Sequence, residues 1–359
     1  MAHPRFPPNM NTRTFLTSLA VATALVSCER ERESASSEPP TLHIYMWADY
    51  VKPELVQQFE RDNHCRVVID TFDSNESMYA KLKAGATGFD IAVPSSYMVK
   101  LMQEQNMLSQ IDRAMVPNLV NISGDVANKI YDKMMTHSVP YAVSYTVIAY
   151  RKDKIAKIEP TWAVFERPDI KSRCTLLNDM RETLGAALKF LGHSINTRDE
   201  QHLAEARDLV IKWKHNTAKF DNEAYKTGID SGEFSVVMGY SGDLFQVVTD
   251  NDKVGIVVPQ EGITMSCDEF VILKEGRNPL LAHQFINYML DPKIAAENMQ
   301  EIGYLCPNQP ALDQVSRDFL RHPAIQIPDD VKSKIEVIED LGADLAKWTK
   351  VWDEVKAAP

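Results

Sequence analysis

The sequence predicts an α/β protein, because strand patterns alternate with helix patterns along the chain. The first strand pattern is LHIYMW, in which Leu42, Ile44 and Met46 recur at every second position. A helix pattern at residues 53–63 and a strand pattern at residues 66–72 follow it. The alternation of strands and helices predicts parallel sheets. About 320 residues remain after the N-terminal segment, which is more than a single hydrophobic core usually contains, so two lobes are expected.

The same alternation continues through the rest of the chain. A helix is predicted from Ser74 or Asn75, either of which can cap it, to Gly85. The strand pattern FDIAVPSS is expected to end at Pro94. Further strand and helix patterns are YMVKLMQEQNM (residues 97–107), VSYTVIAYR (143–151), EARDLVIKWKHN (205–216), LAHQFINYML (281–290) and IAAENMQEI (294–302).

Two segments of the chain show the same strand–turn–helix pattern. Residues 89–103 (FDIAVPSSYMVKLMQ) and 234–248 (FSVVMGYSGDLFQVV) each contain a short apolar strand, a turn with small polar residues and a Tyr, and then a helix. Their separation suggests that two lobes present equivalent loops across a cleft.

The N-terminus resembles an export signal. Arg5 and Arg13 precede the apolar run FLTSLAVATALVS, which is shorter than the roughly 20 residues that span a bilayer. Cys28 follows in LVSC, which resembles the bacterial lipobox. The prediction is a signal peptide at 1–27 and a lipidated tether at 28–40, which would place the protein in the periplasm or at the cell surface, anchored through Cys28. The alternative is an ordinary secretory signal followed by a chance cysteine.

The charge balance restricts the possible partners. Removal of residues 1–27 takes away two of the 39 basic residues and none of the 50 acidic ones, which leaves a formal charge of −13. Such a surface argues against nucleic acid and against a basic patch for anionic lipids, and it is compatible with a cationic ligand.

Chemistry-bearing motifs are scarce. The chain has no phosphate-binding loop, no HExxH and no GxGxxG, and GYSGD places Asp243 where a nucleophile elbow needs Gly. The four cysteines after Cys28 form no CxxC, so buried free thiols are expected, with a single disulfide as the alternative: Cys65, Cys174, Cys267 and Cys306. We therefore expect a binding protein with no catalytic residues, no metal and no cofactor.

Aromatic residues lie beside carboxylates at the predicted strand ends, where ligands of open α/β sheets bind. Asp268 and Glu269 are expected to precede a strand, FVILK. Taken singly, Asp179 could cap a helix, Trp47 could belong to the core and Glu269 is expected to be solvated. The full set is Trp47, Asp49, Tyr50, Tyr97, Asp179, Glu182, Tyr240, Asp243, Asp268, Glu269 and Tyr304.

From Thr41 onward the chain resembles the bacterial extracytoplasmic polyamine-binding proteins, which are the spermidine/putrescine receptors of ABC importers. The motifs occur in family order: YMWADYV, SNESMYAKL, FDIAVPSSYMV, DMRETLGAAL, GYSGD, DEFVI and EIGYLCPNQPA. The resemblance implies a two-lobed periplasmic binding protein fold, type II-like, with hinge crossovers. It assigns residues 41–145 and 268–312 to lobe 1 and residues 146–267 and 313–359 to lobe 2.

The resemblance also implies a pocket for a polyamine, a permease partner and a monomeric protein. The ten residues that it assigns to the pocket are Trp47, Asp49, Tyr50, Tyr97, Asp179, Glu182, Tyr240, Asp243, Asp268 and Tyr304. This sequence departs from many spermidine-binding members at Ala48, Tyr240, Ser266 and Ile338. Because putrescine-binding members carry the acid found here at Asp243, putrescine is expected to bind more tightly than spermidine.

Two other functions stay open. The first is a periplasmic hydrolase or deaminase that acts on an amine with the same carboxylates. The second is a receptor of the same fold for an amino acid or an anion, for which only Arg181 among the assigned segments could supply the charge.

Overall fold

Strands and helices alternate along residues 38–359, the part of the chain that this computed structural model describes. The strands are β1 (Thr41–Trp47), β2 (Arg66–Phe72), β3 (Ile91–Ala92), β4 (Ser138–Arg151), β5 (Cys174–Leu176), β6 (Lys219–Phe220), β7 (Val236–Tyr240), β8 (Val254–Val257), β9 (Thr264–Ile272) and β10 (Glu336–Val337). The α-helices are α1 (Pro53–Asn63), α2 (Asn75–Lys83), α3 (Ser96–Glu104), α4 (Gly124–Ala127), α5 (Met180–Leu191), α6 (Glu200–Lys214), α7 (Tyr225–Ser231), α8 (Ser241–Asp250), α9 (Pro279–Met289), α10 (Pro292–Ile302), α11 (Gln309–Leu312), α12 (Arg317–Leu320), α13 (Asp329–Lys332) and α14 (Leu345–Ala357). Short 3-10 helices lie at Pro117–Asn121, Trp162–Glu166, Pro168–Ile170 and Gly342–Asp344.

The long strand β4 connects two groups of strands. Its first half, Ser138–Tyr145, pairs with β9, whereas its second half, Thr146–Arg151, pairs with β7 and β8. The first group continues from β9 through β3 and β1 to β2, and the second group continues from β7 through β5 to β6. A single strand therefore belongs to both halves of the sheet.

The prediction of parallel sheets is wrong for the centre of the structure. The outer pairs β1–β2, β1–β3, β5–β6 and β5–β7 are parallel, but β4 is antiparallel to β7, β8 and β9, and β3 is antiparallel to β9. The physical reason is that β4 runs through both groups of strands, so it pairs with β7, β8 and β9 without the helical crossover that parallel pairing requires.

Most local predictions agree with the structure, and α2 shows why. The Ser74 side chain accepts a hydrogen bond from the Ser77 N–H and so caps the helix, as its sequence pattern indicates. Two strand predictions need correction. The strand expected to end at Pro94 is limited to Ile91–Ala92, and Asp268 and Glu269 lie inside β9 rather than before it.

The apolar side chains form separate clusters around the two groups of strands. One cluster draws its buried members from residues 42–142 and 270–304, and another draws them from residues 147–263 and from the C-terminal segment 327–355. A third cluster combines residues 45–108 and 271–273 with Ile195 and Ile338. Cys65, Cys174, Cys267 and Cys306 are buried free thiols within these described residues. None of the helices in this part of the chain has the length and the apolar character needed to cross a membrane.

Candidate ligand-binding site

A cavity lies where the ends of β1 and β7 and the middle of β4 and β9 meet. Nine of the ten residues assigned to the pocket line it, and Asp49 does not. The space between the lining side chains amounts to about 750 Å³, including the part open to solvent. The lining residues are Trp47, Ala48, Tyr50, Phe72, Asp73, Asn75, Ser95, Tyr97, Ser144, Asp179, Arg181, Glu182, Asn222, Glu223, Lys226, Tyr240, Asp243, Ser266, Asp268, Tyr304 and Ile338.

Asp268 is a buried carboxylate that β9 presents to this cavity. Its Oδ1 accepts a hydrogen bond of 2.6 Å from the Ser95 hydroxyl, and its Oδ2 accepts one of 2.5 Å from the Tyr50 hydroxyl. Burial raises the pKa of Asp268 to about 6, against the lowering effect of these two hydrogen bonds. The carboxylate is therefore held in place by neutral donors, and no protein cation bonds to it among the described residues.

Asp243 is a second carboxylate held by tyrosines. It lies in the first turn of α8, where its Oδ2 accepts a hydrogen bond of 2.6 Å from Tyr225 and its Oδ1 accepts one of 2.8 Å from Tyr304. The Tyr304 ring meets the Tyr50 ring at a centroid distance of 5.0 Å and an interplanar angle of 70°. Two carboxylates, Asp268 and Asp243, are thus linked through a pair of edge-on tyrosine rings.

Asp179 and Glu182 form a third acidic group at the start of α5. Asp179 caps the helix through Oδ1, which accepts hydrogen bonds from the N–H groups of Arg181 and Glu182. Its Oδ2 accepts a hydrogen bond of 3.3 Å from the Tyr240 hydroxyl in the cavity. The capping role anticipated for Asp179 and its place in the cavity are therefore compatible.

Glu182 is buried at the same end of the cavity. Its Oε2 accepts hydrogen bonds from the hydroxyls of Thr146, at 2.7 Å, and Thr264. Burial, followed by the charge of Asp179, raises the pKa of Glu182 to about 7. Near neutral pH this carboxyl group can therefore take up or release a proton when the charge in the cavity changes.

Trp47 and Tyr97 supply flat walls. The Trp47 ring packs on Phe72 with a centroid distance of 4.4 Å, so Trp47 belongs to the apolar packing and also lines the cavity. Its buried Nε1 has no hydrogen-bond partner among the described residues. Tyr97, in the first turn of α3, donates a hydrogen bond of 3.2 Å to Glu76. Both rings are placed by protein contacts, and both line the cavity.

Asp49 differs from the other nine residues. It lies in the turn after β1 with a φ of 52°, a left-handed conformation that Asp tolerates. Its side chain is 64% exposed and accepts a hydrogen bond of 2.8 Å from Lys226 Nζ. Asp49 therefore does not line the cavity in this structure, because its carboxylate pairs with a lysine at the rim, and its assignment to the ligand stays a prediction.

Glu269 also departs from its expected environment. It is fully buried and accepts a hydrogen bond from the Ser138 hydroxyl, rather than being solvated. The alternation along β9 explains the difference, since neighbouring residues of a strand face opposite sides and both sides of β9 are covered. Burial raises the pKa of Glu269 to about 7.

The cavity also contains residues outside the predicted set, and the basic ones among them are Lys226 and Arg181. Arg181 is buried, and its terminal nitrogens donate to the Glu339 carbonyl at 2.8 Å and to the Asn196 side chain at 2.7 Å. These contacts hold both terminal nitrogens, whereas the buried Nε has no hydrogen-bond partner among the described residues. Lys226 has no local signal in the sequence, because only the fold brings α7 to the cavity.

The lining charges favour a cation. Six carboxyl groups and two basic groups line the cavity, and the described residues contain no cluster of three or more His, Cys, Asp or Glu side chains arranged to hold a metal ion. Aromatic rings separate the carboxylates. The cavity is therefore suited to an elongated cation whose charges are separated by apolar atoms.

Comparisons with known proteins agree with this geometry. Residues 54–327 match the family described as bacterial extracellular solute-binding protein. The putrescine/cadaverine-binding protein of Pseudomonas aeruginosa is 33% identical over 329 residues, which cover 88% of this chain and 93% of that protein. The spermidine/putrescine-binding periplasmic protein of Salmonella typhimurium is 32% identical over 324 residues, with 90% and 93% covered.

Solved structures give the same result for the fold. A putative spermidine/putrescine ABC transporter protein from Listeria monocytogenes has a TM-score of 0.82 and 31% identity, covering 89% of this chain and 99% of that chain. The Tp0655 (TpPotD) lipoprotein of Treponema pallidum has a TM-score of 0.79 and 33% identity, with 88% and 99% covered. These similarities confirm the predicted two-lobed α/β fold.

Proposed function

We propose that this chain, which belongs to the family of bacterial extracellular solute-binding proteins, captures polyamines and delivers them to the permease of an ABC importer. The observation that carries the proposal is the pair of buried carboxylates, Asp268 and Asp243, linked through the rings of Tyr50 and Tyr304. The names of the relatives from Pseudomonas aeruginosa and Salmonella typhimurium support it.

The chemistry of a polyamine matches that arrangement. At neutral pH a polyamine is a hydrocarbon chain with ammonium groups, so it needs carboxylates at its charges and flat apolar walls between them. A charge-assisted hydrogen bond contributes roughly 1.5–3 kcal/mol, a ring beside an ammonium about 0.5–2 kcal/mol, and each buried methylene about 0.8 kcal/mol. Together these terms can exceed the roughly 8 kcal/mol net that a micromolar Kd requires.

Putrescine is proposed to bind more tightly than spermidine. Asp243 and Asp268 each offer a carboxylate to one ammonium of a four-carbon diamine. Spermidine carries a third nitrogen, and Ser266 and Ile338 line the cavity at two of the positions where the resemblance implies a departure from many spermidine-binding members. An ammonium that loses its hydrogen bonds on burial is costly, so the longer amine gains less. Asp179 and Glu182 can still hold that charge, so spermidine also binds.

The lobe boundaries belong to the proposal as well. Residues 41–145 and 268–312 form lobe 1, and residues 146–267 and 313–359 form lobe 2. Two apolar clusters, one around each group of strands, follow this division, whereas a third combines residues of lobe 1 with Ile195 and Ile338 of lobe 2. Asp268 then comes from lobe 1 and Asp243 from lobe 2, so a bound diamine joins the lobes. Hinge closure on the ligand and a monomeric protein are part of the same proposal.

The location of the protein is proposed from its N-terminus, which lies outside the described residues. Residues 1–27 act as a signal peptide, and Cys28 carries a lipid that anchors the protein in the periplasm or at the cell surface through the tether 28–40. Replacement of Cys28 by Ala would release the protein from the membrane fraction or block its processing. Unchanged partitioning of this variant into detergent would contradict the anchor.

Calorimetric titration tests the proposed function. Putrescine, cadaverine and spermidine should bind with a stoichiometry of one, whereas 4-aminobutanoate and glutamate should give no heat of binding at the same concentrations. Putrescine recovered unchanged by mass spectrometry after a long incubation would support a binding protein rather than a hydrolase or deaminase. Binding of the amino acids without the amines, or consumption of the amine, would contradict the proposal.

A further inference from the structure

Lys226 places an ammonium group of the protein beside a carboxylate that a ligand ammonium would use. It lies in the first turn of α7, directly after Tyr225, whose hydroxyl donates to Asp243. The Lys226 Nζ atom is 2.8 Å from Asp49 Oδ2 and 3.9 Å from Asp243 Oδ1. The Lys226 side chain is 20% exposed, so solvent screens its charge only in part.

The three carboxylates near Lys226 keep it charged. Burial alone would lower the pKa of Lys226, but the charges of Asp243, Asp49 and Glu223 raise it overall. Lys226 is thus a permanent cation of the cavity at neutral pH. Arg181 is the other basic residue of the lining, and its terminal nitrogens are held by the Glu339 carbonyl and the Asn196 side chain.

We propose that Lys226 is a specificity-determining residue that competes with one ammonium of the ligand at Asp243, and that Asp49 draws it away from that carboxylate toward the rim. This inference rests on the proposed function. The competition is electrostatic, because an ionised carboxylate has about four lone-pair sites and the tyrosine hydroxyls take two of those of Asp243. Room for a ligand ammonium therefore remains, but it must approach a second positive charge.

The competition acts on one end of the ligand only. Asp268 has neutral donors and no lysine or arginine partner among the described residues. A monoamine can place its single ammonium at Asp268 and its apolar end toward Lys226. A diamine must place its second ammonium beside Lys226. The lysine therefore reduces the advantage of a diamine over a monoamine, and its removal should restore that advantage.

The test compares putrescine with n-butylamine, which has the same carbon chain and one ammonium. Lys226→Met keeps a stem of similar length and removes the charge. Titration of the variant should show a Kd for putrescine that is roughly tenfold lower than that of the unmodified protein or better, and a Kd for n-butylamine that changes less than threefold. The matched control is Lys212→Met, since Lys212 pairs with Glu166 on the surface, and it should leave both constants unchanged.

A substitution of Asp49 provides a second test of the same inference. Asp49→Asn should weaken putrescine binding, because it frees Lys226 to move toward Asp243, and the same substitution should have no effect in the Lys226→Met background. If the loss persists in that background, Asp49 acts directly on the ligand and the proposed role of Asp49 is wrong. Thermal unfolding of each variant shows whether it folds.

The outcomes separate this inference from the proposed function. If the unmodified protein binds putrescine and Lys226→Met binds it equally or more weakly, the inference is overturned and the proposed function stands. An equal gain for both amines would show that Lys226 acts on closure instead of on one ammonium, which also overturns the inference. If neither protein binds any amine, the proposed function fails and the inference falls with it.

Discussion

At the scale of single residues, hydroxyl groups arrange the carboxylates of the cavity. Asp268 accepts hydrogen bonds from Ser95 and Tyr50, and Asp243 accepts hydrogen bonds from Tyr225 and Tyr304. These donors fix the direction of each carboxylate without neutralising it. Because such preorganisation is in place before binding, a cation meets oriented acceptors and loses less free energy to reorganisation.

Removal of one of these charges should weaken binding. Asp268→Asn keeps the size of the side chain and removes its charge, so putrescine binding should weaken by about 1.5–3 kcal/mol. Calorimetric titration measures the change, with the exposed residue Asp318 changed to Asn as the control. A change in Kd of less than twofold would contradict the role of Asp268.

Binding should also depend on pH. Burial raises the pKa of Asp268 to about 6 and that of Glu182 to about 7, so both take up protons as the pH falls from 7.5 to 5 while the amine stays charged. The Kd for putrescine should therefore rise over this range. A Kd that is constant between the two pH values would contradict the involvement of these carboxylates.

The raised pKa values of Asp268 and Glu182 also affect the free energy of unfolding. Their effect on stability is most favourable at low pH, where the binding of putrescine is expected to be weakest. Because the folded pKa values exceed the unfolded ones, the contribution of these groups is complete below the unfolded pKa values, near 4, and is lost as the pH rises through about 6 to 7. Bound putrescine should offset this loss of unfolding free energy, because its ammonium groups stabilise the ionised carboxylates. The increase in Tm that saturating putrescine causes should consequently be larger at pH 7.5 than at pH 5.

At the scale of elements, two strand–turn–helix units present the side chains of the cavity. The unit β3–α3 supplies Ser95 and Tyr97, and the unit β7–α8 supplies Tyr240 and Asp243. The first turn of α8, in the second unit, has no room for a side chain at position 242, because a Cβ atom on Gly242 would overlap the ring of Tyr304. A glycine is thus required at this position by close approach, without any unusual backbone angle.

Gly242→Ala tests this requirement. The added methyl group should displace the Tyr304 ring from Asp243 and weaken putrescine binding by roughly tenfold, with a loss of about 1–3 kcal/mol in the free energy of unfolding. Gly124→Ala is the matched control, because a Cβ atom there has nothing within 4 Å. Chemical denaturation and titration measure the two effects. Equal behaviour of the two variants would show that the turn tolerates a side chain.

The elements also show how far the sequence could predict the site. Helix α2 and its Ser74 cap follow from local chemistry, and the family motifs identified nine residues that line one cavity. The burial of Glu269 could not be predicted, because it depends on what covers both faces of β9. Lys226 was missed for a similar reason, since its contact with Asp49 joins residues 177 positions apart in the chain.

At the scale of the whole molecule, β4 ties the two groups of strands together. Its halves pair with different partners, so a change in the angle between the groups can be absorbed where β4 passes from one to the other. The proposed ligand contacts come from both groups. Under the proposed function, a bound polyamine therefore adds attraction between the lobes.

Small-angle scattering should detect the resulting closure. The radius of gyration should be smaller with saturating putrescine than without it, because the proposed contacts join Asp268 of the proposed lobe 1 to Asp243 of the proposed lobe 2. Glutamate at the same concentration is the control and should leave the scattering curve unchanged. Identical curves with and without putrescine would contradict a hinge that closes on the ligand.

The most direct test of the central claim is a crystal structure of the protein with putrescine. We expect one ammonium nitrogen within about 3 Å of an Asp268 oxygen and the other within about 3 Å of an Asp243 oxygen. The four methylenes should lie against the rings of Tyr50 and Tyr304. Putrescine bound elsewhere, or bound in this cavity with neither carboxylate in contact with an ammonium, would contradict the account.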